Sequence, residues 1–258
     1  MRCLLVSDLH YSLKQFDWVI DAASNFDVVV IAGDHIDISG SVDGSVQTAV
    51  VLKYFRRIRS QAELIVCSGN HDLDSHNAAG EKFASWIMKA GRMGISTDGD
   101  TYESEGALFT VCPWWDGPQS RDEVAALLKR DSAKRNGGPW IWVYHSPPDE
   151  SPTSLGLRKS FGDTDLGAWI KEHSPDIVMT GHTHESPFCQ DGSWADRIGS
   201  TWVFNAGRQI GPIPTHIVLD TADQSAFWFS FEGAEIVKLD RDLVRPIPPL
   251  TEFPAWFK

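Results

Sequence analysis

The hydrophobic residues of this chain come in short, unbroken runs separated by polar segments that contain glycine. In the first third of the chain, apolar runs at residues 3–6, 28–32 and 64–67 alternate with segments whose apolar residues recur at helical spacing. Continuous Val, Ile and Leu runs are typical of strands buried on both faces, so the alternation predicts helices packed on a largely buried sheet. The predicted helices cover residues 13–24, with Ser12 as N-cap, 45–60 and 81–90.

The pattern changes further along the chain, where short strands follow one another with fewer helices between them. This part predicts a second, more antiparallel sheet. Its predicted strands are residues 108–112, 141–144, 177–180, 201–204, 216–219 and 226–231, and its predicted helices are 121–135 and 165–173. Without an internal repeat or a clear linker, residues 1–258 are expected to form one domain with a Pro-rich, extended tail over residues 245–258.

Composition and charge exclude several classes of protein. The 258 residues include 23 Lys and Arg against 35 Asp and Glu, a net charge of −12, which disfavours a protein that coats nucleic acid. No apolar run approaches the roughly 18 residues of a membrane span, and the N-terminal run is too short for a secretory signal. The four cysteines form no Cys-x-x-Cys pair, so we expect reduced, mostly buried thiols and a cytoplasmic protein.

Residues able to bind metal ions follow directly after several predicted strands. They occur as Asp8-Leu9-His10, Gly33-Asp34, Gly69-Asn70-His71-Asp72, Tyr144-His145 and Gly181-His182-Thr183-His184. Ligands of open α/β sheets bind beyond the carboxyl ends of strands, so these side chains are expected to share one site. Within each i, i+2 pair, both side chains project to the same side of an extended chain. Seven carboxylate, imidazole and amide ligands exceed what one ion needs and indicate two ions of the Mn, Fe, Zn or Co type sharing a carboxylate.

As an ordered set between residues 8 and 184, these motifs resemble the signature of the calcineurin-like metallophosphoesterase superfamily. The resemblance implies an α/β fold, a four-layer αββα sandwich of two mixed β-sheets flanked by helices, with a dinuclear centre at the strand ends. It implies two transition metal ions, one held by Asp8, His10 and His184 and the other by Asn70, His145 and His182, with Asp34 bridging them.

The same resemblance implies hydrolysis of a small phosphoester by a hydroxide that bridges the two ions. His71 is implied to be no metal ligand but the general acid that protonates the departing oxygen or stabilises the transition state. Asp72 is expected to orient the His71 imidazole. The Gly-Asn-His-Asp form resembles phosphodiesterase relatives, which favours diesters over monoesters.

Other residues depart from the family pattern or lie outside it. His35 stands where relatives often have an apolar residue, and either supports the ligands or lines the turn. Arg208, in Asn205-Ala206-Gly207-Arg208, faces substrate phosphate or a surface carboxylate. One indole of the Trp114-Trp115 pair is expected to wall the substrate cleft, and Trp115 is the candidate. His76, His173 and His216 are expected to be structural.

Two alternatives to a small-molecule phosphoesterase stay open. A nuclease similar to DNA repair exonucleases has the same motifs, although the acidic net charge disfavours it. A noncatalytic metal-binding scaffold with the same fold is the other, although it would have no need of His71. The sequence does not specify the oligomeric state.

Overall fold

The computed structural model describes residues 1–254, which form two six-stranded sheets with helices outside them. The strands are β1 (Arg2–Val6), β2 (Val28–Ala32), β3 (Glu63–Cys67), β4 (Ser75–His76), β5 (Lys82–Phe83), β6 (Thr101–Ser104), β7 (Ala107–Val111), β8 (Trp140–Val143), β9 (Ile177–Thr180), β10 (Ala195–Ile198), β11 (Thr201–Asn205), β12 (His216–Asp220), β13 (Ser225–Ser230) and β14 (Gly233–Lys238). The helices are α1 (Leu13–Ala23), α2 (Gly44–Arg59), α3 (Ser85–Gly91), α4 (Pro118–Ser132) and α5 (Thr164–His173).

Three hydrophobic layers hold the fold together. The central layer lies between the sheets and combines side chains of both, among them Leu5, Val30, Ile65, Phe109, Ile141 and Met179. A second layer packs α1, α2 and α3 on the outer face of the first sheet. A third packs α4 and α5 on the outer face of the second sheet. The predicted αββα sandwich is therefore confirmed.

The distribution of strands between the sheets differs from the expectation. The first sheet has the order β14-β13-β12-β1-β2-β3, so the late strands β12 and β13 join the N-terminal strands, with Leu5 opposite Ile217. The second sheet has the order β10-β11-β9-β8-β7-β6, and its pairs β7–β8, β8–β9 and β9–β11 are parallel. The expectation of a more antiparallel second sheet is wrong because α4 and α5 act as crossovers, which parallel neighbours require.

Several element boundaries also differ. The helix predicted from residue 81 begins at Ser85, because Lys82–Phe83 pairs with Ser75–His76 in a small hairpin. The Glu81 carboxylate instead accepts the backbone N–H of Gln119 at 2.8 Å and of Ser120 at 2.7 Å. These bonds satisfy unpaired donors at the start of α4, which begins three residues before the predicted position. Strands β6, β10 and β14 were not predicted, since none has an unbroken apolar run.

The remaining expectations concern the tail, the thiols and the membrane. Within the described residues, the tail runs beside β14, where the Leu250 N–H donates to the Ala234 carbonyl at 2.7 Å; residues 255–258 lie outside the described part. All four cysteines are free, and three of them are buried, as expected. Among the described helices, none has the length and hydropathy needed to cross a bilayer.

Candidate metal centre and substrate cleft

The motif residues lie together at one edge of the molecule. Asp8, Asp34 and Asn70 follow the carboxyl ends of β1, β2 and β3 in the first sheet, whereas His145 and His182 follow β8 and β9 in the second. The site is therefore assembled from both sheets.

One group of side chains surrounds Asp8. The Nε2 atom of His184 lies 3.2 Å from Asp8 Oδ1 and 3.1 Å from His10 Nε2. His10 Nε2 in turn lies 3.8 Å from Asp8 Oδ1. One carboxylate and two imidazoles thus face a common point, an arrangement that can hold a metal ion.

A second group surrounds Asp34. Its Oδ2 atom lies 3.4 Å from His145 Nε2, and His182 completes the group. Asn70 adjoins it, with its Oδ1 3.0 Å from His182 Nδ1. The same Asp34 oxygen lies 3.7 Å from His10 Nε2. Asp34 therefore stands between the two groups.

His71 lies at the junction of these groups. Its Nε2 is 3.9 Å from Asp34 Oδ2, and its backbone N–H donates to Asp34 Oδ1 at 2.9 Å. Its ring packs edge-on against that of His10, with 4.6 Å between centroids. The side chain is 23% exposed, so it borders the solvent side of the centre.

The backbone that carries these ligands is not extended. Asp8, His10, Asp34 and His182 have φ angles of 54°, 42°, 54° and 65°, in the left-handed region. Such conformations cost of order 1–3 kcal/mol each and concentrate at functional sites. Asp8 and His10 do converge, but the i, i+2 argument that predicted it is wrong, because β1 ends at Val6 and the chain turns sharply after it.

The carboxylates and imidazoles of the centre shift one another's pKa values against the effect of burial. Burial alone would raise the pKa of Asp8, but a hydrogen bond with His184 and the charge of His145 hold that pKa well below its usual range. Burial would also raise the pKa of Asp34, but the charge of His145 and a hydrogen bond with it lower that pKa to about 2. Asp34 in turn overcomes the burial of His145 and raises its pKa to about 9.

The hydrogen bonding of His145 tests whether this centre fits a cation. Its Nδ1 lies 2.7 Å from the Ala32 carbonyl oxygen and must donate to it, which leaves Nε2 to face Asp34. Nε2 is buried without a hydrogen-bond partner. A neutral ring would aim a lone pair at a carboxylate, so the pair fits a positive charge between the two atoms, supplied either by a proton on Nε2 or by a metal ion. Burial and His145 also lower the pKa of His182 to about 4, which keeps that imidazole neutral and able to coordinate.

Sequence and structure comparisons identify the family and the fold that this chain resembles. The sequence model that describes the calcineurin-like phosphoesterase family matches residues 1–186 of this chain. The chain belongs to this family. The protein TT1561 of Thermus thermophilus has a similar fold, with a TM-score of 0.58 and 12% identity over 92% of this chain and 98% of that one. Purple acid phosphatase PPD1 from yellow lupin (Lupinus luteus) seeds is also similar, with a TM-score of 0.57 and 15% identity over 96% of this chain and 53% of that one. No curated protein is detectably similar in sequence.

Asp72 does not have the role predicted for it in this family member. Its fully buried carboxylate accepts the backbone N–H groups of Asp34 and Gly69, each at 2.9 Å, and of His35 at 3.0 Å. It also pairs with His35 Nδ1 at 2.9 Å. His71 Nδ1 has no hydrogen-bond partner. The expectation that Asp72 orients His71 is wrong, because its oxygens are engaged in joining the loops after β2 and β3.

The other histidines are distributed as expected of structural residues. His35 is fully buried and packs edge-on against Phe55 and Trp86, so it lines the turn rather than the ligand groups. His216 is buried at the start of β12, whereas His76 is exposed on β4. His173 ends α5.

A cleft of about 410 Å³ adjoins the centre, and His182 is one of the residues that line it. Trp115 lines it, as does Trp114, whose ring centroid lies 5.7 Å from that of His145 and 5.4 Å from that of His182. Trp114 is therefore the indole nearer the centre. The sequence pattern does not distinguish the positions of Trp114 and Trp115. Phe161 and Asp163 also line the cleft, and no sequence motif marked either of them.

Arg208 lies beside the Asp8 group and is not among the residues that line this cleft. Its backbone N–H donates to the His184 carbonyl at 3.0 Å. Its positive charge acts to lower the pKa of both His10 and His184. Its Nε atom is buried without a hydrogen-bond partner. The side chain is thus placed near the ligand groups rather than on a surface carboxylate.

Proposed function

We propose that this family member is a dinuclear metal-dependent phosphoesterase that hydrolyses small phosphodiesters. The observation that carries the proposal is the position of Asp34, whose Oδ2 lies 3.4 Å from His145 Nε2 and 3.7 Å from His10 Nε2. A carboxylate shared by two ligand groups is the arrangement expected of a two-metal site.

The first ion would be held by Asp8, His10 and His184, and the second by Asn70, His145 and His182, with Asp34 shared. When bound, two such cations lower the pKa of a water and neutralise the charge that develops on phosphate oxygens. The protein's part is to hold these side chains in place, which the Ala32 carbonyl does for His145.

His71 is proposed as the general acid. Its Nε2 is within 3.9 Å of the shared carboxylate, and its partial exposure leaves room for a leaving group beside it. A protonated imidazole there would donate to the departing ester oxygen and prevent an unfavourable alkoxide from forming. Asp72 is a positioning residue, because it fixes the turn that carries Asp34.

Arg208 and Trp115 are proposed to contact substrate. The unpartnered Nε of Arg208 is a donor that a phosphate oxygen would satisfy, with a charge-assisted bond. Trp115 lines the cleft that leads away from His182, where an organic group attached to phosphorus would lie.

The charge distribution favours small substrates over polynucleotides. The chain has a net charge of −12, and two divalent ions reduce its magnitude only to 8 (−12 + 4 = −8). Asp116 and Asp163 line the cleft, and neither Lys nor Arg does among the residues described there. A nucleic acid backbone would meet repulsion along this cleft.

Hydrolysis of bis-p-nitrophenyl phosphate and p-nitrophenyl phosphate by Mn²⁺-loaded protein tests the proposal. We expect turnover that chelator removes, with the diester preferred, and loss of both metal and turnover in Asp34→Asn. Asp21→Asn, on the exposed face of α1, is the control. Turnover that survives both treatments refutes the proposal, and faster cleavage of oligonucleotides would favour the nuclease alternative. Two bound metals without turnover of any ester would favour the scaffold.

A further inference from the structure

The cleft beside His182 has walls made mainly of aromatic side chains. Trp114, Trp115, Tyr144 and Phe161 all line it. Trp114 stands at the junction with the metal centre, and its backbone N–H donates to Ser68 Oγ at 2.8 Å, which fixes its position. Any group attached to a phosphate at the centre and directed into this cleft would meet these rings.

The polar atoms of two of these rings are already satisfied inside the protein. The Trp115 indole N–H donates to Tyr144 Oη at 2.7 Å and to Asp163 Oδ2 at 3.1 Å. The Tyr144 hydroxyl also donates to Asp163. Asp163 Oδ1 accepts the Asp165 N–H at 2.8 Å at the start of α5. With these groups paired, the rings offer the cleft apolar surface and few unmet hydrogen bonds.

The charged side chains that line the cleft further restrict which chemical group can bind in it. The cleft is lined by two carboxylates, Asp116 and Asp163, and by no basic side chain among the described residues. The Nζ of Lys159 lies 4.8 Å from the centroid of Phe161, but Lys159 does not line the cleft. A second phosphate would be repelled here, whereas an uncharged flat ring would stack.

Resting on the proposed phosphoesterase function, we propose that the organic group of the substrate that enters this cleft is a single flat aromatic or heteroaromatic ring without a further phosphate. The ring stacks in the cleft against Trp114, Trp115 and Phe161 while the phosphate lies at the metal centre. Phe161 is 43% exposed at the cleft mouth and forms the outer part of this wall. These residues therefore determine specificity and take no part in the chemical step.

The test compares the binding of three phosphonates and of phosphocholine to the Mn²⁺-loaded protein by calorimetry and by inhibition of p-nitrophenyl phosphate hydrolysis. Stacking on an aromatic side chain is worth about 1–3 kcal/mol, so phenylphosphonate should bind about fivefold to 150-fold tighter than methylphosphonate. Cyclohexylphosphonate, similar in size but not flat, should fall well below phenylphosphonate. Equal affinities for the phenyl and cyclohexyl compounds would overturn the proposal, as would tighter binding of phosphocholine than of phenylphosphonate.

Variants of the cleft residues test whether the preference for the phenyl ring arises in the cleft. Phe161→Ala and Trp115→Leu should each reduce the phenyl-to-methyl preference by about threefold or more, whereas Trp115→Phe should restore most of it. Phe231→Leu alters an exposed aromatic residue elsewhere and should leave the preference unchanged. A preference that survives both cleft variants contradicts the proposal. Metal binding and hydrolysis without ring preference would reject this inference alone, whereas absence of both would reject the phosphoesterase function as well.

Discussion

The Nε2 atom of His145 lies 3.4 Å from Asp34 Oδ2 while its Nδ1 donates to the Ala32 carbonyl at 2.7 Å. The two residues come from different sheets, so this contact joins the sheets at the edge that carries the site. It also requires a positive charge between ring and carboxylate. Asp34 raises the pKa of His145 to about 9 despite burial, which favours a proton on Nε2 in the metal-free protein. A bound metal ion would take the proton's place.

Gly69 permits the close approach of Asp34, and its replacement should disrupt the centre. A Cβ at Gly69 would lie 2.2 Å from Asp34 Oδ1 and 2.8 Å from His145 Nε2. We expect Gly69→Ala to lose most of its bound metal, as measured by elemental analysis after dialysis. Gly167→Ala is the matched control, because nothing lies within 4 Å of its new Cβ in α5. Full metal occupancy in Gly69→Ala would show that the Asp34 position is not needed.

His71→Asn should lower turnover without loss of metal. Removing a general acid typically costs about 10²–10⁴ in rate, and less when the leaving group needs no protonation. The loss of kcat should therefore be larger for an alkyl ester than for a p-nitrophenyl ester. His76→Asn, on exposed β4, serves as control. Equal losses for both esters, or a parallel fall in metal content, would argue against acid catalysis.

Asp72→Asn should destabilise the fold. Its carboxylate is fully buried and accepts the backbone N–H groups of Asp34, His35 and Gly69, and an amide NH₂ would oppose some of these donors. We expect the free energy of unfolding of the metal-free protein to fall by about 3 kcal/mol in urea titrations. The exposed Asp21→Asn should change it little. A change below about 1 kcal/mol would contradict the joining role of Asp72.

Arg208→Gln should weaken phosphate binding. Loss of one charge-assisted hydrogen bond is worth about 1.5–3 kcal/mol, so the inhibition constant of inorganic phosphate should rise by about tenfold or more. KM should rise with it, while metal content stays the same. Arg241→Gln, whose exposed side chain pairs with Asp240, controls for the change in net charge. Unchanged phosphate inhibition would remove Arg208 from the site.

His216 should make stability depend on pH. Burial lowers its pKa to about 4, below the value of about 6.5 in an unfolded chain. Between these values the unfolded state binds the extra proton, so stability rises with pH and is lost on acidification. Relative to His216→Phe, the metal-free wild type should lose about 1–1.5 kcal/mol between about pH 7.5 and about pH 5.5.

Urea titrations at the two pH values measure this difference. The exposed His76→Gln should follow the wild type at both values. Parallel pH dependence of wild type and His216→Phe would mean that His216 is not the group responsible.

Much of the fold follows from local patterns. The unbroken apolar runs of β1, β2 and β3 indicate strands covered on both faces, and the observed strands overlap the predicted ones closely. Strands β6 and β14 were not predicted. Both lie at sheet edges, where their residues are partly exposed, so they have no unbroken apolar run. The assignment of β12 and β13 to the first sheet depends on long-range pairing, which local hydrophobicity does not encode.

The features of the site, like those of the fold, are in part predictable from short segments and in part not. The pattern of residues predicts which side chains are able to bind metal and that each follows a strand, because ligand type and strand position are properties of short segments. Three relationships are visible only in the folded chain: Asp34 stands between two groups, Asp72 pairs with His35 rather than His71, and Trp114 rather than Trp115 adjoins the histidines. Those contacts join segments far apart in the chain across two sheets, and left-handed backbone turns aim the side chains in ways that residue spacing does not determine.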